Sequence, residues 1–130
     1  MSKEPSVLIV DDDEGLANIL AVTLSQQGFE VHTANNGSVG CSAYFEEPTD
    51  WVVTDIQMPE LDGIKMMQCI RLFNPSVKVV YMSGEVERYH NLLDQEVSAF
   101  GAGVLHKPFT RGDLIDEIAG VRKTAEPKHP

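Results

Sequence analysis

Short runs of β-branched and other apolar residues alternate along the chain with stretches whose apolar positions recur every three or four residues. The runs fall at Val7–Val10, Phe29–Thr33, Trp51–Thr54, Val77–Met82 and Gly103–His106. The first and fourth are apolar nearly throughout, as strands covered on both faces are. Between them, Leu16, Ile19, Leu20, Thr23 and Leu24 form one helical stripe, stopped by Gly28. Val39, Ala43 and Tyr44 mark a second helix, opened by Asn36-Gly37-Ser38 and closed before Pro48. Ile64, Met67 and Ile70–Arg71 mark a third, ended by Asn74-Pro75. A fourth, roughly Val86–Glu96, has the least regular spacing, and Leu114, Ile115, Ile118 and Val121 form the fifth. Five strands alternating with five helices predict a doubly wound α/β domain around a five-stranded parallel sheet. The expected bounds are a domain over residues 7–123, an N-terminal extension over 1–6 and a disordered Pro-rich tail over 124–130.

With 130 residues the chain fits one domain and can bury a core without disulfides or a structural metal. Ten Lys+Arg against twenty Asp+Glu give a formal charge of −10. Such a surface repels phosphate backbones, which argues against direct nucleic-acid binding and favours a cation or a basic protein partner. Cys41 and Cys69 are not arranged as CxxC, and their apolar contexts predict reduced, buried thiols. No N-terminal signal pattern and no apolar run long enough to span a bilayer are present, so a cytoplasmic location without membrane contact is expected.

In open α/β sheets function gathers at the carboxyl ends of the strands. Asp11, Asp12 and Asp13 follow the first strand, and Asp55 follows the third, with Met58-Pro59 and Asp62-Gly63 beyond it. Ser83-Gly84-Glu85 follow the fourth strand and Lys107-Pro108 the fifth. Taken singly, each has a plain explanation. Acids at a helix start favour the dipole, and Asp-Gly is an ordinary turn. Together they place several carboxylates, a hydroxyl and a lysine on one sheet edge. Clustered carboxylates repel one another unless compensated, and Mg²⁺ is a hard cation that takes such oxygen ligands. With Lys107 beside it, the pocket suits a phosphoryl group, and a carboxylate can act as nucleophile toward phosphorus.

The segments Val10-Asp11-Asp12-Asp13-Glu14, Thr54 to Gly63 (TDIQMPELDG), Met82-Ser83-Gly84-Glu85 and Lys107-Pro108-Phe109, in this order, resemble a response regulator receiver domain of two-component signalling. The similarity runs from about Val7 to about Val121. It implies a flavodoxin-like sheet in the order 2-1-3-4-5, with Asp55 as phosphoacceptor. It also implies Mg²⁺ (or Mn²⁺) ligation by the side chains of Asp12 and Asp55 and the backbone carbonyl of Gln57, with Asp11 holding a metal-bound water. Ser83 and Lys107 would contact the phosphoryl group, and Lys107-Pro108 would be a cis peptide. Gln57 and Glu85 would tune how readily water attacks the acyl phosphate. The implied partners are a sensor histidine kinase or a histidine phosphotransfer protein, and a downstream protein bound through the fourth helix, fifth strand and fifth helix. The domain would catalyse its own labelling and slow hydrolysis rather than act as an enzyme on other substrates.

Two features depart from the family. Val104 stands where a Tyr or Phe usually sits three residues before the lysine, so the switch position has no ring. The stretch from Ser83 to Lys107 is also slightly long. A haloacid-dehalogenase-type phosphatase is a rival from another class, since Asp11 and Asp13 mimic its acidic spacing. Gly15 stands where that signature needs Thr or Val, however, and no late acidic pair follows a strand. A receiver-like binding module without phosphorylation is the second rival; the intact acids, Ser83 and Lys107 oppose it. His32, His90, His106 and His129 show no metal-ligand spacing, Met66 and Met67 read as helix packing and surface, and Trp51 as partly buried scaffold.

Overall fold

The computed structural model describes residues 4–125. Five strands and five helices alternate: β1 Ser6–Val10, α1 Glu14–Gln26, β2 Glu30–Ala34, α2 Gly37–Glu46, β3 Trp51–Asp55, α3 Gly63–Phe73, β4 Lys78–Ser83, α4 His90–Phe100, β5 Gly103–His106 and α5 Arg111–Ala125. All pairings are parallel, and the sheet order is β2-β1-β3-β4-β5, as expected. Of the anticipated tail at 124–130, residues 126–130 lie outside the described residues, His129 among them, whereas α5 continues through Ala125.

Alternation along the strands divides the core into two layers. In β1, Leu8 and Val10 face one layer with Tyr44 of α2, Ile64, Met67 and Ile70 of α3 and Leu93 of α4. Val7 and Ile9 face the other, with Leu20 and Leu24 of α1 and Leu114, Ile118 and Val121 of α5. Both faces of the sheet are therefore covered, which explains the unbroken apolar runs in β1 and β4. Met66 and Met67 are both fully buried, so neither is the surface residue expected from the sequence. Trp51 is likewise fully rather than partly buried, edge-on to Phe29 with Lys78 near its ring. It opens β3 four residues before Asp55, about 13 Å along the strand, and so lies at the opposite end from the acidic edge.

The chain winds from β1 outward to β2 and then returns across β1 to β3. The crevice at this reversal lies between the carboxyl ends of β1 and β3, where open α/β sheets place their ligands. Asp11 and Asp55 stand at those two ends.

Two local expectations change. The fourth helix begins at His90 rather than near Val86, because residues 86–89 form a turn closed by Arg88 N–H to Glu85 O and Tyr89 N–H to Val86 O. None of Val86–Tyr89 caps the helix with its side chain, and Gly101 in the left-handed region (φ 66°) ends it. The thiols are also not both buried: Cys41 is half-buried and Cys69 exposed.

Candidate functional site

The acidic run after β1 splits into three different environments. Asp13 caps α1, its carboxylate accepting from Leu16 N–H at 3.1 Å. Asp12 is exposed, whereas Asp11 is buried and accepts from Asp13 N–H at 2.9 Å. Asp55, the last residue of β3, is also buried. Carboxylate oxygens of Asp11, Asp12 and Asp55 lie within 4.8 Å of one another.

Lys107 reaches this group from the end of β5. Its ammonium donates to Asp11 Oδ2 at 3.0 Å and lies 3.4 Å from Asp55 Oδ2. The Lys107–Pro108 peptide is cis. Lys107 N–H also bonds Ser83 O at 2.8 Å, which ties the ends of β4 and β5 together. Ser83 is buried, and its hydroxyl oxygen accepts from Glu85 N–H at 2.9 Å. Gln57 Nε2 donates to Glu85 Oε2 at 2.7 Å, and Arg88 donates to the same oxygen at 3.1 Å. This bridge joins the loop after β3 to the turn after β4.

Burial raises the Asp55 pKa above the usual carboxylate value; Lys107 opposes the shift, and Asp11 and Asp12 add to it. Burial lowers the Lys107 pKa, but its contacts with Asp11 and Asp55 outweigh that and raise it overall. Three carboxylates against one ammonium leave a formal excess of 3 − 1 = 2 negative charges in one crevice. An all-oxygen donor set with that excess fits a hard divalent cation.

Glycine is needed where α3 starts against this loop. A Cβ at Gly63 would lie 2.2 Å from the Asp55 carbonyl oxygen, and Gly63 N–H bonds Ile56 O at 2.9 Å. Asp62 beside it caps α3 by accepting from Lys65 N–H at 2.8 Å. The Asp-Gly pair thus fixes the helix start and the backbone that carries Asp55.

Residues 7–119 match the response regulator receiver domain family. The chain belongs to that family. A transcriptional regulatory protein, GlrR of Escherichia coli K12, is 30% identical over 131 residues; the match covers 98% of this chain but 28% of GlrR. The receiver protein CpdR of Brucella abortus is 31% identical over 112 residues, covering 86% of this chain and 92% of CpdR. This receiver therefore spans about a quarter of some relatives and nearly all of others. The crystal structure of a CheX–CheY–BeF₃–Mg²⁺ complex from Borrelia burgdorferi aligns with a TM-score of 0.80 at 26% identity, over 91% of this chain and 89% of that one.

The receiver also contains polar clusters away from the acidic edge, which the spacing of residues along the chain does not reveal. Arg71 of α3, Tyr81 of β4 and Glu96 of α4 form a buried cluster on the other side of β4 from α5. Their only sequence signal is a charge at a core-facing helical position, as with Arg71 directly after Ile70. His32, which lacks metal-ligand spacing, nonetheless comes within 3.9 Å of both Glu30 and Glu47 at the sheet edge. His106 is exposed beside the turn formed by Gly84–Arg88. Among the described residues, no helix is long and apolar enough to cross a membrane.

Proposed function

We propose that this receiver accepts a phosphoryl group on Asp55 from a phosphohistidine of a sensor kinase or histidine phosphotransfer protein. The observation that carries the proposal is the placement of Asp55 beside Asp11, Asp12 and Lys107 at the sheet's topological reversal. Asp12 and Asp55 side chains, the Gln57 carbonyl and Asp11 (through water) are the groups that would hold Mg²⁺ or Mn²⁺. Such an ion, as in the Mg²⁺-containing Borrelia complex, would neutralise charge on the phosphoryl oxygens.

The residues divide the remaining work. An Asp55 carboxylate oxygen attacks phosphorus; the new O–P bond forms as the P–N bond to the imidazole breaks, and the imidazole leaves. Lys107, already at 3.4 Å from Asp55, supplies a fixed positive charge for the phosphoryl oxygens. Ser83 Oγ retains its hydrogen as a donor while its oxygen accepts from Glu85 N–H. Gln57 and Glu85, bridged to each other at 2.7 Å, tune entry of the water that later hydrolyses the acyl phosphate. Output passes to a downstream protein through the face formed by α4, β5 and α5, where Leu92, Val97 and Phe100 are exposed. A cytoplasmic setting, where sensor kinases present their phosphohistidines, completes the reading.

Acetyl phosphate labelling tests it. With Mg²⁺ present the chain should form an acid-stable, hydroxylamine-labile adduct that is lost in Asp55→Asn. Rapid turnover of a generic phosphate ester that needs Asp11 but not Asp55 would overturn it.

A further inference from the structure

Val104 removes the ring that usually occupies the switch position, but the neighbouring strand supplies one at the same level. Tyr81 of β4 pairs in register with Val104 of β5 and is fully buried. It lies two residues before Ser83 on the same face of β4, about 7 Å from the site. Its hydroxyl donates to Glu96 of α4 and accepts from Arg71 Nη2 at 3.0 Å. Arg71 in turn is bonded to both carboxylate oxygens of Glu96, the longer contact being 3.3 Å from Nη1. The Arg71 guanidinium also stacks 3.7 Å from the centre of the Phe100 ring. Arg71 and Glu96 are 8% and 6% exposed, so neither charge has water to fall back on.

We propose that this Arg71–Tyr81–Glu96 clamp, rather than residue 104, couples the phosphorylation site to α4, and that it holds α4 in the arrangement where Lys107 bonds Asp11 and Asp55. The inference rests on the phosphoacceptor reading above. Buried Glu96 and exposed Phe100, both of α4, end on one guanidinium of α3. The helix start has no side-chain cap to anchor it independently. Shifting α4 must separate Glu96 from Arg71 and Tyr81 and strand buried charges, so the helix has discrete positions rather than a continuum. A ligand at Asp55 that moves the β4–α4 segment then works against the clamp. By reciprocity, loosening the clamp must strengthen that ligand's binding.

The test uses Mg²⁺ with beryllofluoride, measured by calorimetry on the full chain. Arg71→Met/Glu96→Leu removes both charges and keeps apolar bulk. It should bind beryllofluoride more than threefold tighter than the unaltered chain. Tyr81→Phe removes only the hydroxyl; it should tighten binding about twofold and speed amide exchange in Leu92–Phe100. A smaller change than threefold in the folded double variant, or weaker binding, overturns the clamp. Should the double variant not fold, Tyr81→Phe decides, and unchanged affinity overturns the proposal. Asp55→Asn must abolish binding in every background. If the unaltered chain binds no beryllofluoride, the phosphoacceptor reading fails and the coupling falls with it, whereas unchanged affinity in the variants of a chain that does bind overturns the clamp alone.

Discussion

Asp55 carries a charge that the fold does not favour. Its pKa is raised by burial, with Asp11 and Asp12 adding to the effect, so the folded state holds the proton more tightly than the unfolded chain does. Stability then falls as pH rises from the unfolded carboxylate value to the raised folded one, and the loss persists at neutral pH. Asp55→Asn removes this charge while keeping the shape. In EDTA at pH 7 it should raise stability, read as a later urea midpoint with unchanged slope. The gain should vanish below the unfolded carboxylate value, where both side chains are neutral; a gain that persists there would point to packing instead. The thiols give a second prediction at this scale. Burial, followed by the neighbouring Cys69, pushes the Cys41 pKa up to about 11, so little of it is thiolate at neutral pH. Iodoacetamide at pH 8 should alkylate exposed Cys69 well before half-buried Cys41, as peptide mass mapping over time would show. Residues of the acidic edge were legible in the sequence because each lies at or just past the carboxyl end of a strand. Their chemistry depends on position along the chain more than on which helix packs where. Arg71 and Glu96 were not legible: charged residues inside a helical stripe ordinarily read as its solvated face. Only the packing of α3 against α4 pairs them.

The helices were legible where caps and apolar stripes agree. In α1, Asp13 caps the start and the Leu16-to-Leu24 stripe follows. In α3, Asp62 caps and Ile64, Met67 and Ile70 face the core. Neither guide marks the start of α4, so its beginning was set four residues early. Its end is marked instead by Gly101, whose N–H bonds Val97 O at 2.9 Å in a left-handed cap. Two glycine substitutions should separate the demands of an element from those of the site. Gly101→Ala places a Cβ at positive φ and should cost about 1 kcal/mol while leaving acetyl phosphate labelling near its normal rate. Gly63→Ala drives a Cβ into the Asp55 carbonyl, so the backbone itself must move. It should cost roughly 2–3 kcal/mol and also slow labelling. Equal labelling rates in the two variants, under conditions where both are folded, would show that the Asp55 loop does not depend on Gly63.

For the whole molecule, the fold concentrates charge that the composition only totals. A chain of formal charge −10 repels itself, and the topological reversal gathers three of its carboxylates around one lysine. Salt of any kind should relieve the general repulsion by screening, whereas a site-bound cation stabilises the folded state alone. The two effects are separable by melting the protein in MgCl₂ and in NaCl at matched ionic strength. At tenfold over its dissociation constant, a single-site ligand contributes about 1.4 kcal/mol. For a domain of this size that corresponds to a rise in Tm of about 5 °C beyond the NaCl control. Asp12→Asn should remove most of the Mg²⁺-specific rise, because exposed Asp12 is the carboxylate a hydrated cation meets first. Glu47→Gln, which alters an exposed acid at the far sheet edge beside His32, should leave it intact. Equal melting curves in the two salts would mean that the acidic crevice is only part of a diffuse field. A Mg²⁺ rise that survives in Asp12→Asn but disappears in Glu47→Gln would place the cation among Glu30, His32 and Glu47 instead.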